Sequence, residues 1–468
     1  EADVQKMGEV VVVGNGTQNR RNITSAIAKL DNQVLANAPR ANVGSALQGT
    51  VSGLQVVNST GQPGAAPVIL LRGGASINSP GAPLVVVDGI IRPFNDIATG
   101  DIASIELLKD AASTAIYGIK GANGVILVTT RRGKSGKAVI HLTSQTGIQT
   151  PVNVLKLLNS YQTALLQNEA DANDGNQPRF TDEDLKLFKS GDDPYGHPDV
   201  NWYDALFKKH TLLTNNNIDI SGGSDKVHYF ITMGYQWQNG LVRDIPYKGK
   251  DQAASGKTQV NSNFFDKRFK FRSNLDIQAT KTLKFQLDIT GTHKRTNSPK
   301  NASLFPTIFR YDYNAPYMMP VYNHDGSFGY GNPNWMQPPA SANNMAAVFA
   351  LDGYDAAIND FMNLHLSGTQ KLDDFIEGLS LKGDIAYSFA NTSDRQVKRE
   401  ASQIPAYWYN PEDNTYHPKD PTVCTIPAYQ LVYNGGTPKQ RINLQGALDY
   451  DHVFGPHNVS GLLLFNQT

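Results

Sequence analysis

Between Val227 and Thr290 the chain alternates apolar and polar residues over three successive stretches. In the first, Val227, Tyr229, Ile231, Met233, Tyr235 and Trp237 share one side, with His228, Phe230, Thr232, Gly234 and Gln236 opposite. The second sets Phe269, Phe271, Leu275, Ile277 and Ala279 against Lys270, Arg272, Asn274, Asp276 and Gln278. The third sets Leu283, Phe285, Leu287 and Ile289 against Lys284, Gln286, Asp288 and Thr290. A period of two is that of β-strand. Each stretch runs for about ten residues, above the mode of about five to six for globular strands and close to the roughly nine to eleven that cross a bilayer.

The same pattern continues after Lys137 and predicts nine strands, near 138–149, 212–222, 226–238, 268–279, 283–294, 361–370, 379–389, 441–451 and 458–466. Their connections alternate between long and short. Those at 223–225, 281–282, 371–378 and 454–457 are brief, whereas the others run for tens of residues. The first long one contains a capping box, Thr181 to Asp184, before Leu185 and Phe188, which predicts a helix. Outer-membrane barrels keep long loops outside and short turns on the periplasmic side, and they carry aromatic residues near strand ends, as Tyr229, Tyr235, Trp237, Phe269, Tyr387, Phe389 and Tyr450 stand here. The pattern therefore predicts a membrane wall whose oily face meets lipid.

Residues 9–133 differ in character. Short apolar runs at 9–14, 67–71, 84–87 and 124–129 predict strands, and Asp88-Gly89 predicts a tight turn. Asp110 is placed to cap a helix over Ala111 to Tyr117 that Gly118 ends. One small α/β domain is expected, joined by a short link to the first wall strand. It should sit on the short-turn, periplasmic side or inside the lumen.

Composition narrows the classes. Lys plus Arg and Asp plus Glu are equal at 42 each, so no net field points to nucleic acid. Charged residues make up 18%, below the roughly 25% of soluble domains. The single Cys424 excludes a disulfide scaffold and a thiolate metal cluster. No apolar run has the length of a membrane helix, so a spanning structure must be a closed barrel. The chain begins at Glu1 without a leader, and a signal peptide is expected to have been removed or to lie outside this sequence.

Ordered motifs in the first third carry a resemblance: Glu9 to Gly16 (EVVVVGNG), Ser52 to Val56 (SGLQV), Gly61 to Gly64 (GQPG), Arg72 and Gly73 with Ser76 to Asn78, Pro83 to Gly89 (PLVVVDG), Asp101 to Asp110 (DIASIELLKD), Ala115 to Gly118 (AIYG), Gly121 to Gly124 (GANG) and Thr129 to Gly133 (TTRRG). This region resembles the plug domain of TonB-dependent outer-membrane transporters, specifically the SusC-like family of Bacteroidetes. Asn201 to Tyr203 and Ser221 to Ser224 are typical of the same family's barrel. Asn15, Ala75 and Lys120 depart from its common residues. The resemblance implies a membrane β-barrel of about 22 antiparallel strands when complete, plugged by an N-terminal α/β domain in its lumen. The corresponding division is 1–16 for an N-terminal segment, 17–135 for the plug and 136–468 for roughly nine barrel strands. The sequence stops at Thr468 within an apparent strand, so a fragment, or a partner chain that completes the barrel, is expected.

What the family reading implies is import energised from the inner membrane through TonB, with outer-membrane lipid around the wall and a SusD-like surface lipoprotein as a lid. Glu9, Val10, Val11, Val12, Val13 and Gly14 suit the coupling segment, because β-branched residues favour extended backbone that a partner sheet pairs with; the same run also reads as an ordinary plug strand. Arg72, Asp88, Glu106, Lys109, Asp110, Arg131 and Arg132 are candidates to pair with lumen-facing Lys270, Arg272 and Asp276 and hold the plug reversibly. Tyr311, Tyr313, Tyr317, Trp335, Tyr407, Trp408 and Tyr409 offer aromatic faces for an oligosaccharide or peptide substrate, and equally for loop packing. No enzymatic motif stands out: GKSGK at 133–137 lacks the upstream Gly of a phosphate loop, Gly14 and Gly16 lack a third Gly, and the histidines show no HExxH. Neither a cofactor nor a metal site is expected. The competing reading is a surface receptor or adhesin that binds or signals without transport.

Overall fold

The computed structural model describes residues 10–13, 16–19, 27–31, 42–58, 60–71, 81–94, 97–152, 154–247, 249, 260–300, 306, 308–331, 333, 343–399, 404–410, 412–423, 425–455 and 457–467. Two bodies are built from them: a small mixed domain and a long antiparallel wall.

The small domain opens with a two-stranded hairpin, β1 (Val10–Val13) and β2 (Gly16–Asn19). Its centre is a sheet of β3 (Ile27–Asp31), β8 (Ile102–Leu108), β9 (Val125–Thr130), β6 (Leu84–Val87) and β7 (Ile90–Ile91) in that spatial order, with β4 (Leu54–Val57) and β5 (Val68–Leu71) as a separate pair. Strand β9 reads as a continuous apolar run from Val125 to Val128 because both faces are covered. Ile102, Ile105, Leu107, Ile126 and Val128 pack with Val43, Leu47, Leu54 and Leu71 on one side, and Leu108, Val125 and Leu127 with Tyr117 on the other. The Asp88-Gly89 turn closes β6 onto β7 with positive φ at both residues, 49° and 85°, the geometry of a two-residue hairpin. Asp110 caps the helix as expected, its carboxylate accepting from the Ser113 amide at 2.8 Å. The helix is shorter than its sequence predicts. It is α-helical over Ala111–Thr114 and continues as a 3₁₀ turn over Ala115–Gly121, kinked where Gly118 has φ 57° and ψ −146°.

The wall is a meander: β10 (Gly136–Gln149), β11 (Thr211–Gly223), β12 (Val227–Asn239), β13 (Phe265–Gln278), β14 (Leu283–Pro299), β15 (Gly353–Lys371) and β16 (Leu379–Lys398). After a loop hairpin of β17 (Tyr407–Asn410) and β18 (Thr415–Pro418), the far edge of β16 is paired in two pieces, β19 (Gln430–Gly435) and β20 (Lys439–Phe454). Strand β21 (His457–Gln467) follows. All nine expected strands are present.

Their faces answer the question raised by the alternation. Met233 is 45% exposed and Phe269 47%, whereas Asp266 is 0%, Arg272 1% and Arg268 3%. Oily residues point out and charged residues point in, the inverse of a soluble sheet and the arrangement of a barrel wall in lipid. No described helix is long and apolar enough to cross a membrane, which says nothing of strands.

The long connections fold on themselves at one end of the wall. Helices Ser160–Asn173, Asp182–Ser190, Trp202–Leu206 and Met345–Leu351 lie there. The expected capping box is formed, with Thr181 and Asp184 bonded reciprocally. Trp202, Phe328, Ile404, Ile426 and, from Met345–Leu351, all but Val348 make an apolar core for these loops.

Candidate functional site

The small domain lies against the polar face of the wall, and the seam between them is made of charge. β9 ends at Thr130, and the next residues lead into β10. Arg131 donates to the Gly100 carbonyl at 3.2 Å and meets Asp219 of β11 at 3.3 Å, with its guanidinium 4.8 Å from the Phe230 ring centroid. Phe230 is the large apolar side chain on the otherwise polar face of β12, and this contact is what it serves. Arg132 forks across two strands, to Asp276 of β13 at 3.0 Å and Asp288 of β14 at 2.8 Å. Burial works against its charge, but Asp288, Asp88 and Asp276 hold its pKa above the ordinary arginine value. Behind Asp288, His365 lies 3.3 Å away and reaches Asp384 at 3.1 Å, which in turn takes Lys382 at 3.3 Å. A row of charge thus crosses four strands from one plug arginine.

A second set surrounds Arg272. Its Nη1 is 3.4 Å from Asp88 and its Nε 3.5 Å from Asp101, both on the small domain. Asp88 is held by the Thr130 amide at 3.0 Å and hydroxyl at 2.8 Å. Burial pushes the Asp101 carboxyl above the usual carboxylate range, opposed by Arg272 and Lys270. Asn274 donates to the Thr130 hydroxyl at 3.0 Å and the Arg131 carbonyl at 2.7 Å, and Lys270 donates to the Ile97 carbonyl at 2.9 Å.

A third set is nearer the long loops. Gly64, from the GQPG motif, donates its amide to Gln238 at 3.1 Å and accepts Arg268 at 3.3 Å and Lys294 at 3.4 Å on its carbonyl. Both cations pair with Asp266, at 2.6 and 3.4 Å. A Cβ on Gly64 would stand 2.0 Å from the Asp266 carboxylate, so the close approach and the φ of 75° both require glycine.

Of the residues singled out in the sequence, Asp88, Arg131, Arg132, Lys270, Arg272 and Asp276 meet at this seam. Lys109 donates to the Ser52 carbonyl and Asp110 caps a helix, both contacts within the small domain. Glu106 is buried on β8 opposite Lys29. Arg72, Trp335, Glu9 and Gly14 lie outside the described residues. Val10, Val11, Val12 and Val13 are extended and paired with Asn19, Gln18, Thr17 and Gly16 on one edge. The sequence reading did not single out Asp101, Asp266, Arg268 or Lys294. The last three were findable, because they continue the polar phase of β13 and β14 by even steps.

The aromatic candidates divide. Tyr317 is 3% exposed and packs on Phe180 at 4.9 Å in the loop core, so its ring supports the loops and presents no open face. The Tyr311 hydroxyl accepts the Leu158 amide at 2.7 Å at the edge of a cavity of about 230 Å³. Tyr313 lies under the Arg310 guanidinium, 4.4 Å away. In the β17–β18 hairpin Trp408 stacks on His417 at 4.4 Å, Tyr409 leans on Tyr416 at 5.4 Å, and Tyr407 bonds Phe328 and Tyr330 through its backbone.

A plug-like domain against the charged face of an outward-oily antiparallel wall defines the class of TonB-dependent receptors. Residues 19–125 match the TonB-dependent Receptor Plug Domain family. The chain is 33% identical over 73% of its length to TonB-dependent receptor P26 of Formosa agariphila, covering 32% of that protein. It is 26% identical over 97% of its length to TonB-dependent receptor SusC of Bacteroides thetaiotaomicron, covering 43%. Its fold matches the RagAB peptide importer in the open-open state with a TM-score of 0.71 at 21% identity, over 97% of this chain and 48% of that one. The chain therefore spans less than half the length of these relatives. The chain resembles the SusC-like TonB-dependent receptors, with a plug domain and a large antiparallel sheet like that of their barrels.

Proposed function

We propose that this chain is part of an outer-membrane importer that takes up a nutrient on energy delivered through TonB, and that the plug seam is what that energy works on. The observation that carries the reading is the fork of Arg132 across Asp276 and Asp288, joined to the Arg272 and Gly64 sets. A seam of ion pairs exchanges its partners for water at a small net cost, because desolvating charges offsets most of their attraction, whereas an apolar seam would resist separation in proportion to its area. A plug seated this way can be shifted and reseated.

The segment Glu9 to Gly14 is assigned the coupling role: among the described residues β1 is paired on one edge, and a partner strand added to the other would gain main-chain hydrogen bonds with little demand on side chains. The substrate is assigned to the glycans or peptides, with a SusD-like lipoprotein as lid; glycans are favoured by the half-exposed aromatic pairs Trp408 with His417 and Tyr409 with Tyr416. Deleting Val10–Val13 in the full-length protein should leave substrate binding intact and abolish growth on the substrate. Undiminished growth would sink the coupling assignment and leave a receptor that binds without transporting. Growth of a deletion strain on a panel of glycans and peptides identifies the cargo.

A further inference from the structure

The outward face of the wall holds a gap in its oily surface. Register partners across β12 to β16 form rows that run around the wall. One row reads Met233, Phe271, Gly291, Met362 and Phe389. At Gly291 no atom stands within 4 Å of where a Cβ would be, and Phe269, Phe271, Met362, Tyr387 and Phe389 wall a groove of about 550 Å³ around it. Glycine weakens a strand interior and often marks a bulge, a bend or a site that a ligand approaches closely; at Gly291 the register is unbroken on both sides, so no bulge accounts for it.

The next row toward the long loops places His293 against Asp360 at 2.6 Å, so that carboxylate is held by a hydrogen bond within its own row. The row beyond reads Trp237, Lys267 and Arg295. Lys267 lies over the Trp237 and Phe265 rings at 5.1 and 5.2 Å, and Arg295 over Phe265 at 5.9 Å. Among the described residues neither cation has a carboxylate partner. An apolar groove therefore opens toward two uncompensated cations held on aromatic faces, at the long-loop rim of the oily band.

We propose that this face is a specific binding site for an anionic lipid whose headgroup phosphate carries no compensating cation, its acyl chain lying across Gly291 and its phosphate between Lys267 and Arg295. Charge complementarity selects the occupant: a zwitterionic lipid brings its own cation beside its phosphate and leaves the pair only half answered, and a second copy of this face would bring like charges together. A planar guanidinium beside an ammonium answers a phosphate with both a fork and a point charge. The site depends on the wall facing lipid, and is separate from any import.

The test uses the full-length receptor in neutral detergent, incubated with dimyristoyl phosphatidic acid or dimyristoyl phosphatidylcholine and read by native mass spectrometry. The phosphatidic acid should be retained in preference. The double variant Lys267→Gln with Arg295→Gln should lose that preference by on the order of thirty-fold, as expected for two cations near an anionic surface. Gly291→Leu, which fills the groove and keeps both charges, should weaken retention of the same lipid. Equal retention of the two lipids, or retention unchanged in both variants, overturns the proposal. So does a receptor dimer that Gly291→Leu disrupts while lipid retention stays unchanged. Lipid retention is read without transport, so a failure of the import reading leaves this result standing.

Discussion

Arg132 Nη2 lies 2.8 Å from Asp288 Oδ2, joining the last turn of the plug to the inner face of β14. Its other nitrogen reaches Asp276 on the neighbouring strand, so a single side chain grips two strands and, through His365 and Asp384, a further two. Arg132→Gln should therefore loosen the plug's exit from the wall. Removing one member of a buried pair costs about 3 kcal/mol. Hydrogen exchange over 125–132 in the full-length receptor should rise by two orders of magnitude, and the double variant with Asp288→Asn should be less affected than the sum of the single changes. Strict additivity would show that the pair does not couple.

Arg272 makes a different prediction, because at 1% exposure it answers two acids at once. Arg272→Met leaves buried Asp88 with only the longer contact to Arg92 at 4.0 Å and buried Asp101 with only the fields of Lys270 and Arg131, and the receptor should assemble poorly in the membrane. Adding Asp88→Asn and Asp101→Asn removes the stranded charges and should restore most of the yield. A triple variant no better than the single one would mean that Arg272 acts through shape and not charge.

Gly64→Ala tests the third set. Its Cβ collides with Asp266, and its φ of 75° adds backbone strain, together costing roughly 1 to 3 kcal/mol. The expected result is faster proteolysis of the plug, with the wall unaltered in heat-modified gel mobility. Protection equal to the parent chain would contradict the close approach.

Outside the membrane, Asp184 accepts hydrogen bonds from His197 at 3.0 Å and from Thr181. Partial burial alone would raise its pKa, but these bonds outweigh it and hold the carboxyl below its usual 3.8. A carboxylate depressed in the fold stabilises it above the unfolded value and loses that contribution as pH falls through the folded one. Amides of 182–190 should therefore exchange slowly at neutral pH and lose protection below pH 3.8. Asp184→Asn should flatten this dependence; an unchanged acid transition would assign it to another group.

Strand ends show where the sequence was and was not legible. The alternation placed strands at 361–370 and 379–389, yet β15 begins at Gly353 and β16 runs to Lys398. The added residues, 353–360 and 391–398, pair with one another and read GYDAAIND and NTSDRQVK. Alternation is written where one face meets lipid and the other the lumen. Beyond the bilayer both faces are wet, the selection for period two lapses, and pairing continues without a signature. The helix after Asp110 was overextended as well: its N-cap is a local signal, whereas from Ala115 the chain tightens into a 3₁₀ turn, with Tyr117 packed against the plug sheet.

By itself the sequence determined what local physics writes into it: the period-two wall, the long and short rhythm of its connections, the Asp88-Gly89 turn, the Thr181 capping box and the ordered plug motifs. It also determined which face of each strand is polar. Which charges meet was decided by the tertiary structure alone. Arg132 lies 144 residues from Asp276 and 156 from Asp288, and Gly64 lies 174 from Gln238. No periodicity links such positions. Their pairing follows from the depth at which the plug seats and from the register of four wall strands, each of which aligns one residue at a time along its neighbour. The groove at Gly291 is of the same kind, because a gap exists only once the rings on either side have been brought into register.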